Sequence, residues 1–505
     1  MPENKVEHMS LLDKRANGVL MHISSLPGKT GIGTLGSSAY AFVDFLKNSS
    51  QTYWQILPIG PTSFGDSPYQ SFSTFAGNPY FIDLEFLEHD GLISKEDWEN
   101  VNWGNDSTSV DYGVLYKERH ALFAKVQKNF EKNIPSEYYD FCNYNSAWLE
   151  DYSLFMAIKD AHGGCSFDCW EDDIRKREGD AVKFWYEKCL NRVSYYKMLQ
   201  FLFYKQWYAL KKYANERGIK IIGDIPIYVA ADSADVWSNP KQFYLDADSK
   251  PIEVAGCPPD GFSADGQLWG NPVYNWDYMK NDGYSWWKKR LEMSLKNYDV
   301  LRIDHFRGFD SYYCIPFGSS DAKNGFWRQG PGVDLFSEIK KTFGELPIIA
   351  EDLGFLTDSV YKMLDEVGFP GMKVLQFAFD SRETNSGYLP HCYKKNSVVY
   401  TGTHDNDTIR GWMSAISKDD LEFAKAYLRA DENNLAVNMM LTAMATVSNT
   451  CVLTMQDLIG LDGRARMNQP STVGKNWKWR ATQDQLSESV GEFLRRNTVL
   501  YRRCR

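Results

Sequence analysis

Several features are missing from this 505-residue chain, and each absence removes a class of function. Its net charge of −10 comes with no long basic stripe, which argues against nucleic acid or an anionic membrane as partner. The exception is FLRRNTVLYRRCR at the C-terminus, expected to be a solvated helix end. The opening MPENKVEHMSLLDK lacks a positive start followed by an apolar stretch, and the nine cysteines, an odd number, are scattered from Cys142 to Cys504. Both observations place the chain in the reducing cytoplasm. Cys165 and Cys169 have no second pair at zinc-ribbon spacing, so free thiols are expected. Asn433 to Gln456 carries no charge, but its Asn438, Ser448, Asn449 and threonines predict a buried helix running into a strand rather than a membrane span.

Motifs for other chemistries fail in detail. GIGTLG at 31–36 has the spacing of a dinucleotide loop, but the next strand ends LPIGP, with no acid to hold a ribose hydroxyl. GKT at 28–30 has Ile23 where a phosphate-cradling loop needs glycine. DADSK at 246–250 starts like a calcium loop and lacks the glycine at its sixth position. No G-x-S-x-G turn is present. Neither a metal nor a cofactor is expected.

What is present is repetition. Apolar, β-branched runs occur at 19–23, 53–59, 219–228, 300–306, 346–352, 372–379, 398–405 and 451–457, most of them followed by turn residues and an amphipathic helical pattern. Eight strand-then-helix units predict an α/β fold, a closed (β/α)₈ barrel spanning 1–505 as a single catalytic domain. Two gaps are too long for simple crossovers. A mostly helical subdomain is expected at 85–195 and a loop-rich one, covering the active site, at 229–280. Too little chain follows the last strand for a separate β-sandwich.

Carboxylates collect at the strand ends: Asp304, Glu351, Asp405 and Asp457, with Asp224 inside a fifth strand. In such barrels the reaction is performed at that face, so the set reads as catalytic. In VLRIDHFRGF, Arg302 and Asp304 lie two apart and share a face, while Leu301, Ile303 and His305 take the other. Arg302 is expected to keep Asp304 ionised, and His305 to be a hydrogen-bonded residue behind the strand. Glu351 and Asp352 are neighbours, so one of them reaches the cavity. Aromatic residues at 15% suit either interfaces or the apolar faces of sugars.

The segments SSLPGKTGIGTLG, GDSPYQSFSTFAGNPYFIDL, GDIPIYV, GCPPDGFSADGQLWGNPVYNW, LRIDHFRGF, AEDLG, GTHDNDTIRGW and ARMNQP run in this order. Together they resemble the amylomaltases or disproportionating enzymes, the 4-α-glucanotransferases of glycoside hydrolase family 77. The resemblance runs from Arg15 to Arg480 and implies a barrel with inserted subdomains and no C-terminal β-domain. It implies Asp304 as nucleophile, Glu351 as general acid and base, and Asp405 as the carboxylate that stabilises the transition state. It places Arg302 beside the nucleophile and His404, Tyr69, Asp224, Asp260, Gln267, Trp269 and Asn468 around the bound sugars. Gly261 departs from the family, which often has an aromatic there. The implied partners are maltooligosaccharides, amylose or other α-1,4-glucans. Single residues do not decide between a sugar and water as acceptor, so an α-amylase-type hydrolase stands as the alternative, and a catalytically silent glucan-binding barrel as a remoter one.

Overall fold

Short alternating strands, each closed by a turn, organise the computed structural model, which describes residues 11–259, 264–354, 356–383 and 386–504. The first six strands are β1 (Ala16–Leu20), β2 (Tyr53–Gln55), β3 (Lys220–Pro226), β4 (Glu253–Cys257), β5 (Gln267–Pro272) and β6 (Val300–Asp304). They are followed by β7 (Ser311–Pro316), β8 (Phe326–Gln329), β9 (Ile348–Ala350), β10 (Gly371–Val374), β11 (Ser397–Tyr400) and β12 (Thr450–Thr454). Eight of them close a parallel barrel in the order β1-β12-β11-β10-β9-β6-β3-β2, as the eight expected units require.

Strand parity divides the core. Leu20, Tyr53, Ile222, Val300, Ile349, Val374, Tyr400 and Val452 fill the barrel interior. Their neighbours Val19, Trp54, Ile221, Leu301, Ile348, Val399 and Cys451 pack outward into the larger core shared with the helices. The first strand starts earlier than the apolar run at 19–23 suggests. Its polar half, Ala16-Asn17-Gly18, is strand because Tyr53 lies against Gly18, where a Cβ would sit 2.6 Å from the tyrosine's own Cβ.

Between β2 and β3 the chain is mostly helical, and the long helix Leu190–Glu216 packs against Ser146–Ala161. A second, four-stranded antiparallel sheet in the order β5-β4-β7-β8 flanks the barrel. Its outer pair, SYYCIP and FWRQ, went unread in the sequence: FWRQ is short with Phe326 and Trp327 exposed, and SYYCIP, though buried, follows β6 after a single turn with no helix between them. All nine cysteines are free thiols. Among the described residues no helix is long and apolar enough to cross a membrane, and the uncharged stretch is a helix, Leu435–Ala445, running into β12. DADSK is a turn in which Asp246 accepts from the backbone N–H groups of Asp248 and Lys250.

The basic C-terminus differs from expectation. Arg503 is fully buried, and its guanidinium donates to the carbonyls of Met444, Ala16, Asn449, Thr446 and Ser448, beneath the seam where β1 meets β12. Burial depresses its pKa to about 10, which still leaves it charged. Arg503→Met is expected to destabilise the protein by about 3 kcal/mol or more, since several buried carbonyls lose a charged donor. A lower urea midpoint with unchanged activity per folded molecule is the expected reading.

Candidate active site

Register between neighbouring strands builds the centre of the barrel mouth. β3 pairs with β6 so that Asp224 lies opposite Arg302 and Pro226 opposite Asp304. Arg302 therefore points inward between two carboxylates. Its Nη1 donates to Asp224 Oδ1 at 2.8 Å and Oδ2 at 2.7 Å, and its Nη2 donates to Asp304 Oδ1 at 2.8 Å. The Tyr69 hydroxyl donates to Asp224 Oδ2 at 2.9 Å. Asp224 is wholly buried, and both of its oxygens accept from Arg302 or Tyr69. It holds Arg302 and Tyr69 in place.

Asp405 and His404, in the turn after β11, form a second cluster. His404 Nε2 lies 3.3 Å from Asp405 Oδ2, and Asn468 Nδ2 donates to Asp405 Oδ1 at 2.6 Å. Burial alone would raise the Asp405 carboxyl, but the His404 charge and the His404 and Asn468 hydrogen bonds bring it down to about 2. The reciprocal effect raises His404 against its own burial. Asp405 is thus an anion at any working pH, and at 41% side-chain exposure it remains open to a ligand. The Tyr69 ring stacks on His404 with centroids 5.1 Å apart, and Trp477 lies 5.8 Å from Tyr69 and 5.9 Å from His404. Trp477 was missed in the sequence; the aromatic pair in NWKW was its only signal.

Glu351, just beyond β9, has no cation in contact among the described residues. Its Oε2 accepts from the His305 backbone N–H and its Oε1 from that of Leu353, both at 2.7 Å. Burial, followed by the charge of Asp304, pushes its pKa up to about 8. Asp304 is raised as well: burial leads, and Arg302 only partly offsets it because Asp224 already engages the same guanidinium. Arg302 thus lowers Asp304 in the expected direction, but burial outweighs it. Of the two, Asp304 has the direct cationic donor and Glu351 has only backbone donors, so a proton shared between them rests on Glu351.

His305 also departs from expectation. The strand ends at Asp304, and His305 turns into the left-handed region at φ 53° instead of continuing onto the helix-facing side. Its ring meets Trp269 edge-on at 4.7 Å, and burial keeps the imidazole neutral, with a pKa near 3. Trp269 Nε1 donates to Gln267 Oε1 at 3.0 Å, so two expected sugar-binding residues of β5 stand beside the Glu351 flank. Asp260 and Gly261 lie outside the described residues. Asp352 turns away, accepting from Met372 N at 2.6 Å. Asp457 is also removed from the strand-end catalytic set: it accepts from Thr401 Oγ1 and Ile409 N and fastens two loops.

Comparison with known proteins finds similarity along nearly the whole chain. The family description 4-alpha-glucanotransferase, glycoside hydrolase family 77, matches residues 21–485. A 4-alpha-glucanotransferase of Clostridium butyricum is 47% identical over 96% of this chain and 100% of its own length. One from Streptococcus pneumoniae is 50% identical over 97% of this chain and 98% of its own. The structure of an amylomaltase from Streptococcus agalactiae in complex with acarbose superposes with a TM-score of 0.95 at 46% identity, covering 97% of this chain and all of that one.

Proposed function

The chain belongs to the 4-alpha-glucanotransferase family, glycoside hydrolase family 77, an assignment that makes it an enzyme of glucan transfer. We propose that it moves α-1,4-glucan segments from a donor to the 4-hydroxyl of an acceptor glucan or glucose, with retention, through a covalent glycosyl-aspartate. The observation that carries the mechanism is the unequal treatment of three carboxyl groups. Asp304 touches a cation, Asp405 is held ionised by His404 and Asn468, and Glu351 touches no cation among the described residues and keeps its proton up to about pH 8.

In the first step an Asp304 oxygen bonds to the anomeric carbon as the glycosidic bond breaks, and Glu351 gives its proton to the departing oxygen. Asp405 holds ring hydroxyls and favours the cation-like transition state. Glu351, now ionised, takes the proton of the incoming 4-hydroxyl, which displaces Asp304 and regenerates both groups. Tyr69 supplies a stacking surface, while Gln267 and Trp269 line the Glu351 flank. The acarbose held by the Streptococcus agalactiae amylomaltase supports reading the cleft as an oligosaccharide site.

Incubation with maltotriose tests transfer against hydrolysis. Free glucose together with a ladder of longer glucans is expected by chromatography. Glucose and maltose alone would make the enzyme a hydrolase.

A further inference from the structure

We propose that Trp327 is a sugar-stacking platform for the distal part of the acceptor glucan, beyond the sugar that meets Glu351. This inference rests on the transfer reading above.

Trp327 sits on β8, the edge strand of the small sheet, and is 44% exposed, a costly position for the largest apolar side chain unless its surface is used. Its ring is fixed rather than loose. Register places it opposite Tyr313 on β7, and the Tyr313 ring meets it at 5.3 Å with an interplanar angle of 63°. Tyr313 is itself buried and anchored by donating to Ala322 O at 2.8 Å. The Arg307 guanidinium carbon lies 4.3 Å from the Trp327 centroid and covers one ring face. With one face under a cation and one side against Tyr313, the opposite face is what remains to account for the exposure. A flat, immobilised, one-sided aromatic surface suits the apolar face of a pyranose, and little conformational entropy is lost when it binds.

Its position ties it to the acceptor side. Arg307 belongs to the turn Phe306–Phe309 that follows Asp304 and His305, so its Cα lies at most about 11 Å from that of Asp304. The same turn supplies the His305 N–H that donates to Glu351, the group that meets the departing and incoming oxygens. The donor-side groups Tyr69, His404, Asp405, Asn468 and Trp477 cluster around Asp405 instead. Trp327 therefore continues the rim outward from Glu351, past Arg307, where the second or third glucose of an acceptor would run. Trp327 is assigned to these later glucoses and not to the one that meets Glu351.

The test uses a maltotriosyl fluoride donor blocked at its non-reducing 4-hydroxyl, so that only an added sugar can accept. KM for glucose and for maltotetraose as acceptors is measured in wild type, Trp327→Leu and Trp327→Phe, with thermal unfolding to establish that each variant is folded. Trp327→Leu is expected to raise KM for maltotetraose by about tenfold, leaving KM for glucose and kcat unchanged. Trp327→Phe, which keeps a flat ring, should recover most of the affinity. Equal shifts for both acceptors, or none for maltotetraose, with transfer intact, would overturn the inference alone. Wild type that only hydrolyses the blocked donor in the presence of either sugar would overturn the transfer reading and this inference with it.

Discussion

Asp304→Asn is expected to lower kcat for glucan transfer by about four orders of magnitude or more, because the amide oxygen cannot form the bond on which both half-reactions depend. The replacement is nearly isosteric, so the loss is chemical rather than structural. Arg302 remains anchored through both oxygens of Asp224, and Tyr69 remains hydrogen-bonded to the same carboxylate. Asp304 is raised by burial and by the neighbouring charges of Asp224 and Asp405, so removing its charge relieves repulsion and Tm should hold or rise slightly. Maltooligosaccharide binding, read by calorimetry, should persist, since the stacked pair Tyr69 and His404 and the Asp405 cluster are untouched. Retention of even a few per cent of wild-type kcat, with deamidation excluded by mass spectrometry, would remove Asp304 from the nucleophile's role.

What the sequence discloses about this site follows from which interactions are local. Arg302 and Asp304 are two residues apart in one strand, and the period of two placed both inward. The collection of acids at strand ends was visible for the same reason, yet their separate fates were not. Asp224 is buried because β3 pairs with β6 at one particular register, and Asp457 is spent on Thr401 and Ile409; neither pairing leaves a trace in spacing. His305 leaves the strand at a left-handed residue that no periodicity marks. Trp477 meets Tyr69 across the length of the chain. Arg503 was grouped with the other basic residues of its segment, because charge counts carry no information about where five carbonyls converge. The eight barrel strands were legible because parallel strands covered on both faces read as continuous apolar runs. The strand β8 lacks that cover, and β7, though buried, follows β6 after a single turn, without the helix that marks the repeat.

Glu351→Gln is expected to cost about three orders of magnitude in kcat with ordinary glucans, whose leaving oxygen departs only when protonated. The pH dependence carries the sharper prediction. The donor step needs Glu351 protonated, its pKa lies near 8, and loss of the proton as pH rises through that value should lower wild-type kcat/KM on the alkaline side. Asp405, near 2, is ionised throughout and adds nothing to that limb. With an α-glycosyl fluoride donor the leaving group departs without a proton, so Glu351→Gln should regain the first half-reaction and show no alkaline limb. The second half-reaction still lacks its base. The enzyme bound through Asp304 should therefore accumulate, and intact-mass measurement should find one added glycosyl unit, mapped to the peptide containing VLRIDHF. An alkaline limb that survives the substitution would assign the proton to another group. Failure of the fluoride donor to restore the first step would show that Glu351 does more than donate a proton, because the two backbone N–H groups it accepts, from His305 and Leu353, also fix the turn that carries Arg307.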